Sequence, residues 1–293
     1  MNYFFQFYAI QSLVFTLNLL PLSLSSWLAK TVGRLFYFCA GSRRKIALHN
    51  LERAYGNTLS LKEKRAIARK SFENTALSIL ELFLIKKIKK DAAQRFIIKG
   101  QENLEAALSE GKGIILITSH LGSWEYLGFL FYLAKIPCSA IVKTLKNKSL
   151  DKKIDSLRRE TITPIPKKNA IRGALTELQE NHVVAILIDQ WDGSDGLWID
   201  FFGSSTSTTS LPARLAKKTD SVLVPAYCLR KGTGQYEILV LPQVHLPQNQ
   251  DDWETSVTKR LNEMLESHIR QYPEQWAWTH RRWKAKPETS RHA

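Results

Sequence analysis

The stretch GIILITSHLGSWE, residues 113–125, decides the fold of this chain. Residues 113–118 form an apolar run that opens on glycine, which is typical of a strand buried on both faces of a parallel sheet. His120 and Glu125 follow where we expect this strand to give way to a helix. In open α/β sheets, ligands bind outside the C-terminal ends of strands. The stretch therefore predicts an α/β fold with a candidate site at the end of this strand.

The same pattern recurs along the rest of the chain. A second continuous apolar run, at residues 183–188, predicts another strand that is buried on both faces. Further strands are predicted at residues 96–98, 139–142, 221–227 and 236–240, and helices at 103–110, 122–133, 150–159, 170–179 and 253–270. Strands that alternate with helices indicate an α/β fold with a central mixed, mostly parallel sheet flanked by helices.

The apolar sequence of the N-terminal part predicts that it contacts a membrane. Residues 3–20 contain no charged side chain, and as a helix they would cover roughly 27 Å, close to the thickness of a hydrocarbon core. Pro21 ends this run, and a second apolar helix at 24–39 carries only Lys30 and Arg34. We therefore expect a first helix that spans or anchors in the bilayer and a second that lies in the interface.

The charge balance favours anionic partners. The 293 residues include 42 Lys and Arg against 27 Asp and Glu, a formal net charge of +15. This excess suits phospholipid headgroups, phosphorylated glycolipids, an acidic carrier protein or nucleic acid, and the apolar N-terminus favours the membrane over nucleic acid. A signal peptide would carry basic residues ahead of its apolar run. The first basic residues of this chain, Lys30 and Arg34, follow the apolar run instead. The positive-inside rule therefore predicts that the rest of the chain is cytoplasmic.

Three parts are predicted along the chain: a transmembrane or membrane-anchoring helix at 1–22, a helical and partly interfacial region at 23–90, and an α/β catalytic domain at 91–293. In the second part, Ser60 and Glu63 have the spacing of a capping box that starts a helix. The three cysteines are far apart, which argues against a disulfide framework and a cysteine-based metal site. We expect no metal and no cofactor.

His120 and Glu125 are the candidate catalytic residues. A turn from strand into helix can bring the two side chains into contact, so that the carboxylate holds the imidazole in one tautomer and stabilises its protonated form. The other ring nitrogen is then free to take a proton from a hydroxyl, which is itself the nucleophile. Such a spacing also occurs by chance, and a histidine at a strand end is often a hydrogen-bonded structural residue.

Other site chemistries have little support in the sequence. There is no Gly-x-Ser-x-Gly nucleophile elbow. Residues 111–113 lack the spacing of a phosphate loop and precede a strand rather than a helix. Histidine and cysteine spacings typical of zinc sites are absent as well. A histidine base with a carboxylate partner is therefore the best supported chemistry.

Several further motifs stand in order along the chain: RRKIALHNL at 43–51, HLGSWE at 120–125, DQ at 189–190, FFG at 201–203 and PEQWAWTHRRWK at 273–284. Together with the apolar N-terminus, they make the chain resemble the late lipid A acyltransferases, the lauroyl and myristoyl transferases of the lysophospholipid acyltransferase superfamily. The resemblance covers nearly the whole chain. Such a set of ordered motifs is far more specific than the histidine and glutamate alone.

The resemblance implies transfer of a fatty acyl group from an acyl-carrier-protein thioester to a hydroxyl of a lipid A precursor, in lipopolysaccharide biosynthesis. This would occur at the cell inner membrane, with the catalytic domain on the cytoplasmic side. His120 would be the general base and Glu125 its orienting partner. Arg158 matches a family arginine that could stabilise the thioester oxyanion or bind a phosphate. Asp189, followed by Gln190, matches a family acidic residue that could position Arg158 or a substrate hydroxyl.

One departure from the family pattern follows the second predicted strand of the α/β part. The family often has an Arg-Pro pair there, and this chain has Lys143 and Thr144. Lysine keeps the charge but loses bidentate geometry, so Lys143 is a substrate-binding candidate at which donor or acceptor details can differ. Two rival functions stay open: a lysophospholipid or other glycolipid acyltransferase, and a basic peripheral protein that binds lipid or nucleic acid without catalysis.

Overall fold

A computed structural model describes residues 3–245 and 252–285 of the chain. The helices in these residues are α1 (Tyr3–Leu19), α2 (Leu22–Cys39), α3 (Gly41–Tyr55), α4 (Leu61–Lys89), α5 (Ala92–Arg95), α6 (Gln101–Ser109), α7 (Gly128–Ala134), α8 (Lys148–Arg158), α9 (Ala170–Gln179), α10 (Leu211–Thr219) and α11 (Trp253–Gln271). The strands are β1 (Phe96–Lys99), β2 (Ile114–Thr118), β3 (Cys138–Val142), β4 (Thr163–Pro166), β5 (Val183–Leu187), β6 (Leu197–Phe201), β7 (Ser204–Thr208), β8 (Val222–Gly232) and β9 (Gln235–Val240).

Seven strands form the central sheet, in the order β1-β9-β8-β2-β5-β3-β4. Every neighbouring pair is parallel except β8 and β9, which are antiparallel. β2 lies in the middle, and all five of its residues are buried. The predicted mixed, mostly parallel sheet flanked by helices is therefore confirmed. Because β2, β5, β3, β4 and β8 are mutually parallel, their carboxyl ends share one edge of the sheet.

Alternate side chains of β2 serve two different apolar cores. Ile115 and Ile117 belong to the core on one side of the sheet, and Ile114 and Leu116 belong to the core on the other side, which includes several residues of α4. Each fully buried side chain of this size contributes about 1.5–3 kcal/mol to folding. Packing against helices on both faces of the sheet therefore holds β2 in place and fixes the position at which it ends.

The predicted capping box at the start of α4 is confirmed. The Ser60 hydroxyl accepts the backbone N–H of Glu63, and the Glu63 carboxylate accepts the backbone N–H of Ser60 at 2.7 Å. These two bonds satisfy amide groups that the first turn of a helix leaves without partners. They give a defined start to a helix of 29 residues whose later turns pack on the sheet.

The sequence missed five elements: α5, β4, α10 and the two strands of the antiparallel hairpin, β6 and β7. β4 contains Pro164 and Pro166, and it pairs with β3 alone at the edge of the sheet, where a missing N–H is tolerated. β7 consists only of serine and threonine, so it lacks the apolar pattern on which strand prediction depends.

The helix predicted from residue 122 starts later, because residues 120–123 form a tight turn. Gly122 has a φ of +67°, and a side chain at this position would collide with the carbonyl of Cys228. Ser123 donates its backbone N–H to that same carbonyl at 2.7 Å. A short 3₁₀ helix, Trp124–Leu127, then leads into α7.

The N-terminal helices differ from the prediction in one respect. α1 has 17 residues, and no helix within the described ranges is both long and apolar enough to cross a bilayer. α2 packs on α4 at Gly33, where a side chain would meet the backbone of Phe72. α2 also leaves Trp27, Leu35 and Phe38 exposed, each between 58% and 60%.

Candidate active site

His120 and Asp189 meet at the carboxyl edge of the sheet. Each lies two residues beyond a strand, and these strands, β2 and β5, are parallel neighbours. His120 Nδ1 is 2.9 Å from Asp189 Oδ1, and the backbone N–H of His120 donates to Asp189 Oδ2 at 3.0 Å. Because an ionised carboxylate only accepts hydrogen bonds, the proton of the neutral imidazole lies on Nδ1.

A tryptophan from the C-terminal part completes the environment of Asp189. Trp276, which is 1% exposed, donates its Nε1–H to Asp189 Oδ2 at 2.8 Å. Burial by itself would raise the pKa of Asp189, but the charge of His120 and the hydrogen bonds from His120 and Trp276 lower this pKa to about 2. The carboxylate therefore stays ionised at neutral pH.

The ring of His120 is tuned by its neighbours. Burial lowers the pKa of His120, but the Asp189 carboxylate outweighs burial, and Glu125 adds to the rise while Arg158 opposes it, so that the pKa lies above the usual 6.5. The second ring nitrogen, Nε2, is 3.3 Å from the amide nitrogen of Gln190. The Gln190 side chain is exposed, so its rotation makes Nε2 accessible to a substrate.

Glu125 binds Arg158 and does not hydrogen-bond to the His120 ring as the spacing had predicted. Arg158 Nε and Nη2 donate to the two oxygens of Glu125 at 3.0 and 2.6 Å, which makes a bidentate pair. The turn at Gly122 directs Glu125 toward α8, whereas sheet pairing brings Asp189 directly beside His120. Burial lowers the pKa of Arg158, but the hydrogen bonds and the charge of Glu125 raise this pKa by a larger amount. The net pKa lies above its usual value, so the guanidinium stays charged. The pair leaves Arg158 Nη1 as the nitrogen through which a substrate oxygen can be bound.

A buried ion pair supports the turn at residues 120–123 from behind. Arg230 donates from Nε and Nη2 to the two oxygens of Glu81 on α4, at 2.7 and 2.6 Å, and both side chains are less than a tenth exposed. Arg230 Nη2 also donates to the carbonyl of Gly122 at 3.1 Å, and Ser78 donates to the same carbonyl at 3.0 Å. The turn that carries His120 is thereby tied to α4.

Residues 276–283 pass directly over the site. The backbone N–H of Ala277 donates to the carbonyl of His120 at 3.2 Å. Asn50 holds the segment by donating to the carbonyls of Trp278 and His280, both at 2.8 Å. The structure thus places this aromatic and basic stretch around His120.

Two further residues of this segment were not anticipated. Arg282 is fully buried and donates to the carbonyls of Gln190 and Ser207 at 3.0 and 2.6 Å, which fixes the backbone that follows Asp189. Burial lowers the pKa of His280 to about 4, so this second histidine stays neutral beside the site. The motif at 273–284 was the only sequence signal for them, because residue spacing says nothing about contacts over such distances.

Lys143 stands apart from the other residues singled out from the sequence. It follows β3 at the same edge of the sheet, and its side chain is exposed. Among the described residues it makes no hydrogen bond or ion pair with His120, Glu125 or the residues bound to them. Its position is compatible with a role in substrate binding, which stays a prediction.

The assembled groups have the geometry of a histidine base oriented by a carboxylate. A hydroxyl that approaches Nε2 of His120 can be deprotonated there, while Asp189 stabilises the imidazolium that forms. A charged arginine stands nearby, held rigidly by Glu125, and can bind a developing oxyanion. Fold and site together define an α/β protein equipped for attack of a hydroxyl on an activated carbonyl.

Comparison with known proteins gives the family. The sequence profile of the bacterial lipid A biosynthesis acyltransferases matches residues 1–285, so the chain belongs to that family. A lipid A biosynthesis lauroyltransferase of Escherichia coli is 26% identical over 261 residues, which cover 88% of this chain and 84% of the relative. A lipid A biosynthesis acyltransferase of Haemophilus influenzae is 27% identical over 193 residues, 65% of this chain and 59% of the relative.

Similarity extends to another class of glycolipid enzyme. A phosphatidylinositol mannoside acyltransferase of Mycobacterium tuberculosis is 25% identical over 202 residues, which cover 67% of this chain and 63% of the relative. The match thus spans less than two thirds of the length of that protein. All of these relatives are named acyltransferases, but their names differ in the lipid acceptor.

Proposed function

We propose that this protein transfers a fatty acyl group from an acyl-carrier-protein thioester to a hydroxyl of a lipid A precursor. Family membership supports acyl transfer in lipid A biosynthesis. The observation that carries the mechanism is the bond between His120 Nδ1 and Asp189 Oδ1 at 2.9 Å, because it leaves Nε2 as the free basic nitrogen at the edge of the sheet. Asp189, rather than Glu125, then orients the base.

The reaction proceeds in two steps at the carbonyl carbon. The acceptor hydroxyl gives its proton to His120 Nε2 while its oxygen bonds to the thioester carbon, and the carbonyl oxygen becomes an oxyanion beside Arg158. The carbon–sulfur bond then breaks as the carbonyl re-forms, and the thiolate leaves with the proton that His120 returns. No covalent acyl-enzyme is needed, because the acceptor hydroxyl is the nucleophile. Glu125 acts by holding Arg158 in place.

Replacement of the base tests the proposal. In purified full-length protein, His120→Ala should lower the rate of transfer by about 10²–10⁴-fold, the usual contribution of a general base. His49→Ala, at an exposed histidine on α3, is the matched control and should keep full activity. The assay follows acylated lipid by mass spectrometry, with an acyl-carrier-protein donor. Unchanged turnover in His120→Ala would exclude this mechanism, whereas no turnover by the unchanged protein would favour a lipid-binding protein without catalysis.

A second candidate function differs in the acceptor. The mycobacterial relatives act, by their names, on phosphatidylinositol mannosides, which supports a glycolipid acyltransferase with the same catalytic residues. Parallel assays of a lipid A precursor, a lysophospholipid and a mannosylated phosphatidylinositol, with one common donor, separate these functions. The preferred acceptor is the one with the highest kcat/KM. A preference for either of the last two would replace the lipid A proposal.

We also propose that the protein works at the cytoplasmic face of the cell inner membrane. The exposed Trp27, Leu35 and Phe38 of α2, beside Lys30 and Arg34, have the composition of an interfacial helix. Flotation with vesicles that contain phosphatidylglycerol tests this. Trp27→Glu combined with Phe38→Glu should abolish flotation.

A substitution outside α2 provides the control for flotation. Ile171→Glu changes a similarly exposed apolar residue on α9 and should have no effect on flotation. If the α2 variant floats as well as the unchanged protein, α2 is not the membrane contact. If Ile171→Glu also abolishes flotation, the loss reflects added negative charge rather than the α2 surface.

A further inference from the structure

The segment from β3 through α8 presents an exposed surface that is rich in cations. Its exposed charged residues are Lys143, Lys146, Lys148, Lys152 and Arg159, which we call the basic face. The other exposed side chains of residues 143–159 are serine and threonine. The exposed positions therefore include neither an acidic nor an apolar residue.

Two of the acidic residues of this region are engaged in contacts within the protein. Asp151 accepts the backbone N–H of Leu145 at 2.7 Å. Glu160 binds Lys86 and Lys89 of α4 at 3.2 and 3.0 Å. Asp155, also on α8, is partly exposed, so residues 143–159 hold five exposed cations against two partly exposed carboxylates, and the surface stays positive.

The basic face lies beside the catalytic residues. Arg158, in the last turn of α8, is bound to Glu125, five residues after the histidine base. α8 has 11 residues and is therefore about 16 Å long, so the whole helix lies within a short distance of the site. Lys143 directly follows β3, whose carboxyl end faces the same edge of the sheet. A partner docked here could present a tethered group to His120.

The composition of the basic face suits an acidic protein better than a bilayer. Interfacial membrane surfaces combine cations with exposed apolar and aromatic side chains, as α2 does with Trp27 and Phe38. The basic face carries no exposed apolar side chain that could enter a membrane. Charge complementarity without apolar contact is typical of transient docking that sets association rate and specificity.

We propose that the basic face is the docking surface for the acidic carrier protein that brings the acyl thioester. This inference rests on the proposed function and adds the place at which the donor binds. Docking here would leave α2 available to the membrane and let the carrier deliver the thioester past Arg158. The partner is recognised by charge, so binding should weaken as ionic strength rises.

A charge reversal tests the proposal in the full-length protein. The variant Lys148→Glu/Lys152→Glu/Arg159→Glu should raise the KM for a dodecanoyl acyl carrier protein about tenfold or more at low salt, with kcat within about twofold, as expected for exposed docking charges. With dodecanoyl-pantetheine, a donor without the carrier protein, the variant should match the unchanged protein. Normal turnover of that small donor also proves that the variant is folded.

A matched triple reversal controls for net charge. Arg214→Glu/Lys217→Glu/Lys218→Glu changes one exposed arginine and two exposed lysines on α10. α10 leads into the amino end of β8, so its last turn lies at the edge of the sheet opposite the site. This control should leave the KM for the carrier-protein donor unchanged. An equal rise in both variants would mean that overall charge, not the basic face, governs binding.

Other outcomes would overturn the proposal in distinguishable ways. An unchanged KM for the carrier-protein donor removes the basic face as its docking surface. A loss of vesicle flotation in the α8 variant, with donor kinetics intact, assigns the face to the membrane. A raised KM for the lipid acceptor with both donors assigns it to the acceptor phosphates. If the unchanged protein transfers from neither donor, the proposed function fails, and fluorescence anisotropy of labelled carrier protein with both variants still decides the docking site.

Discussion

Replacement of Asp189 by asparagine should trap His120 in the wrong tautomer. Two donors point at one carboxylate oxygen, because the backbone N–H of His120 and Nε1–H of Trp276 reach Oδ2 at 3.0 and 2.8 Å. The amide oxygen of asparagine must take this position, and its NH₂ group then faces His120 Nδ1. Nδ1 must accept, so the ring proton moves to Nε2. A protonated Nε2 cannot take the proton of a substrate hydroxyl.

The cost of the opposite amide orientation sets the size of the effect. If the amide is turned round, the backbone N–H of His120 and Nε1–H of Trp276 both face the NH₂ group of asparagine. Each of these buried donors then lacks an acceptor, which costs about 1–3 kcal/mol per group. The sum, about 2–6 kcal/mol, corresponds to a population of the active tautomer reduced by roughly 30- to 10⁴-fold. We therefore expect Asp189→Asn to lower kcat by about 30- to 10⁴-fold, with little change in the KM for the donor.

Steady-state transfer by the purified variant measures this effect. Asp195→Asn, at an exposed aspartate six residues further along the chain, is the control and should behave like the unchanged protein. Addition of Trp276→Phe to Asp189→Asn removes one of the two donors, so part of the lost activity should return. If Asp189→Asn alone keeps more than about a tenth of the original kcat, Asp189 does not set the tautomer of His120 and the proposed base must be oriented in another way.

Three further perturbations extend the test. In the unchanged protein, kcat/KM should fall as pH drops through the pKa of His120, with a midpoint above 6.5, because protonation removes the base and Asp189 raises that pKa; a midpoint below 6.5 would contradict the assigned pair. Arg158→Lys should lower kcat about tenfold or more, since lysine cannot replace the bidentate bond to Glu125, and an unchanged kcat would remove Arg158 from the mechanism. Gly122→Ala should lower the free energy of unfolding by more than the about 1–2 kcal/mol of left-handed strain, because the added methyl group meets the carbonyl of Cys228. Urea unfolding measures this loss against Gly111→Ala, where φ is +64° but the space around the residue is open. Equal losses in the two variants would show that the collision does not matter.

The sequence was most informative where the signal is local. Apolar runs at 113–118 and 183–188 correspond to β2 and β5, because a strand buried on both faces needs a continuous apolar sequence. The same runs located His120 and Asp189 correctly at strand ends. The capping box of α4 is equally local, since all its atoms lie within four residues.

The partners of these residues depend on which strands are neighbours, which no local pattern encodes. β2 lies next to β5 although α7, β3, α8, β4 and α9 come between them in the chain. Because the two strands are adjacent, His120 pairs with Asp189, and the turn at Gly122 places Glu125 against Arg158 instead. Spacing along one segment therefore singled out His120 but not the carboxylate that binds its ring.

The bond from Trp276 to Asp189 joins residues that are 87 positions apart, and the bond from Asn50 to His280 spans 230 positions. A ribosome produces the strands that carry His120 and Asp189 long before residues 276–283 emerge. A nascent chain can therefore assemble its sheet while the carboxylate still lacks its indole donor and its cover. Any chain that ends before residue 276 would therefore carry both strands without the indole that binds Asp189.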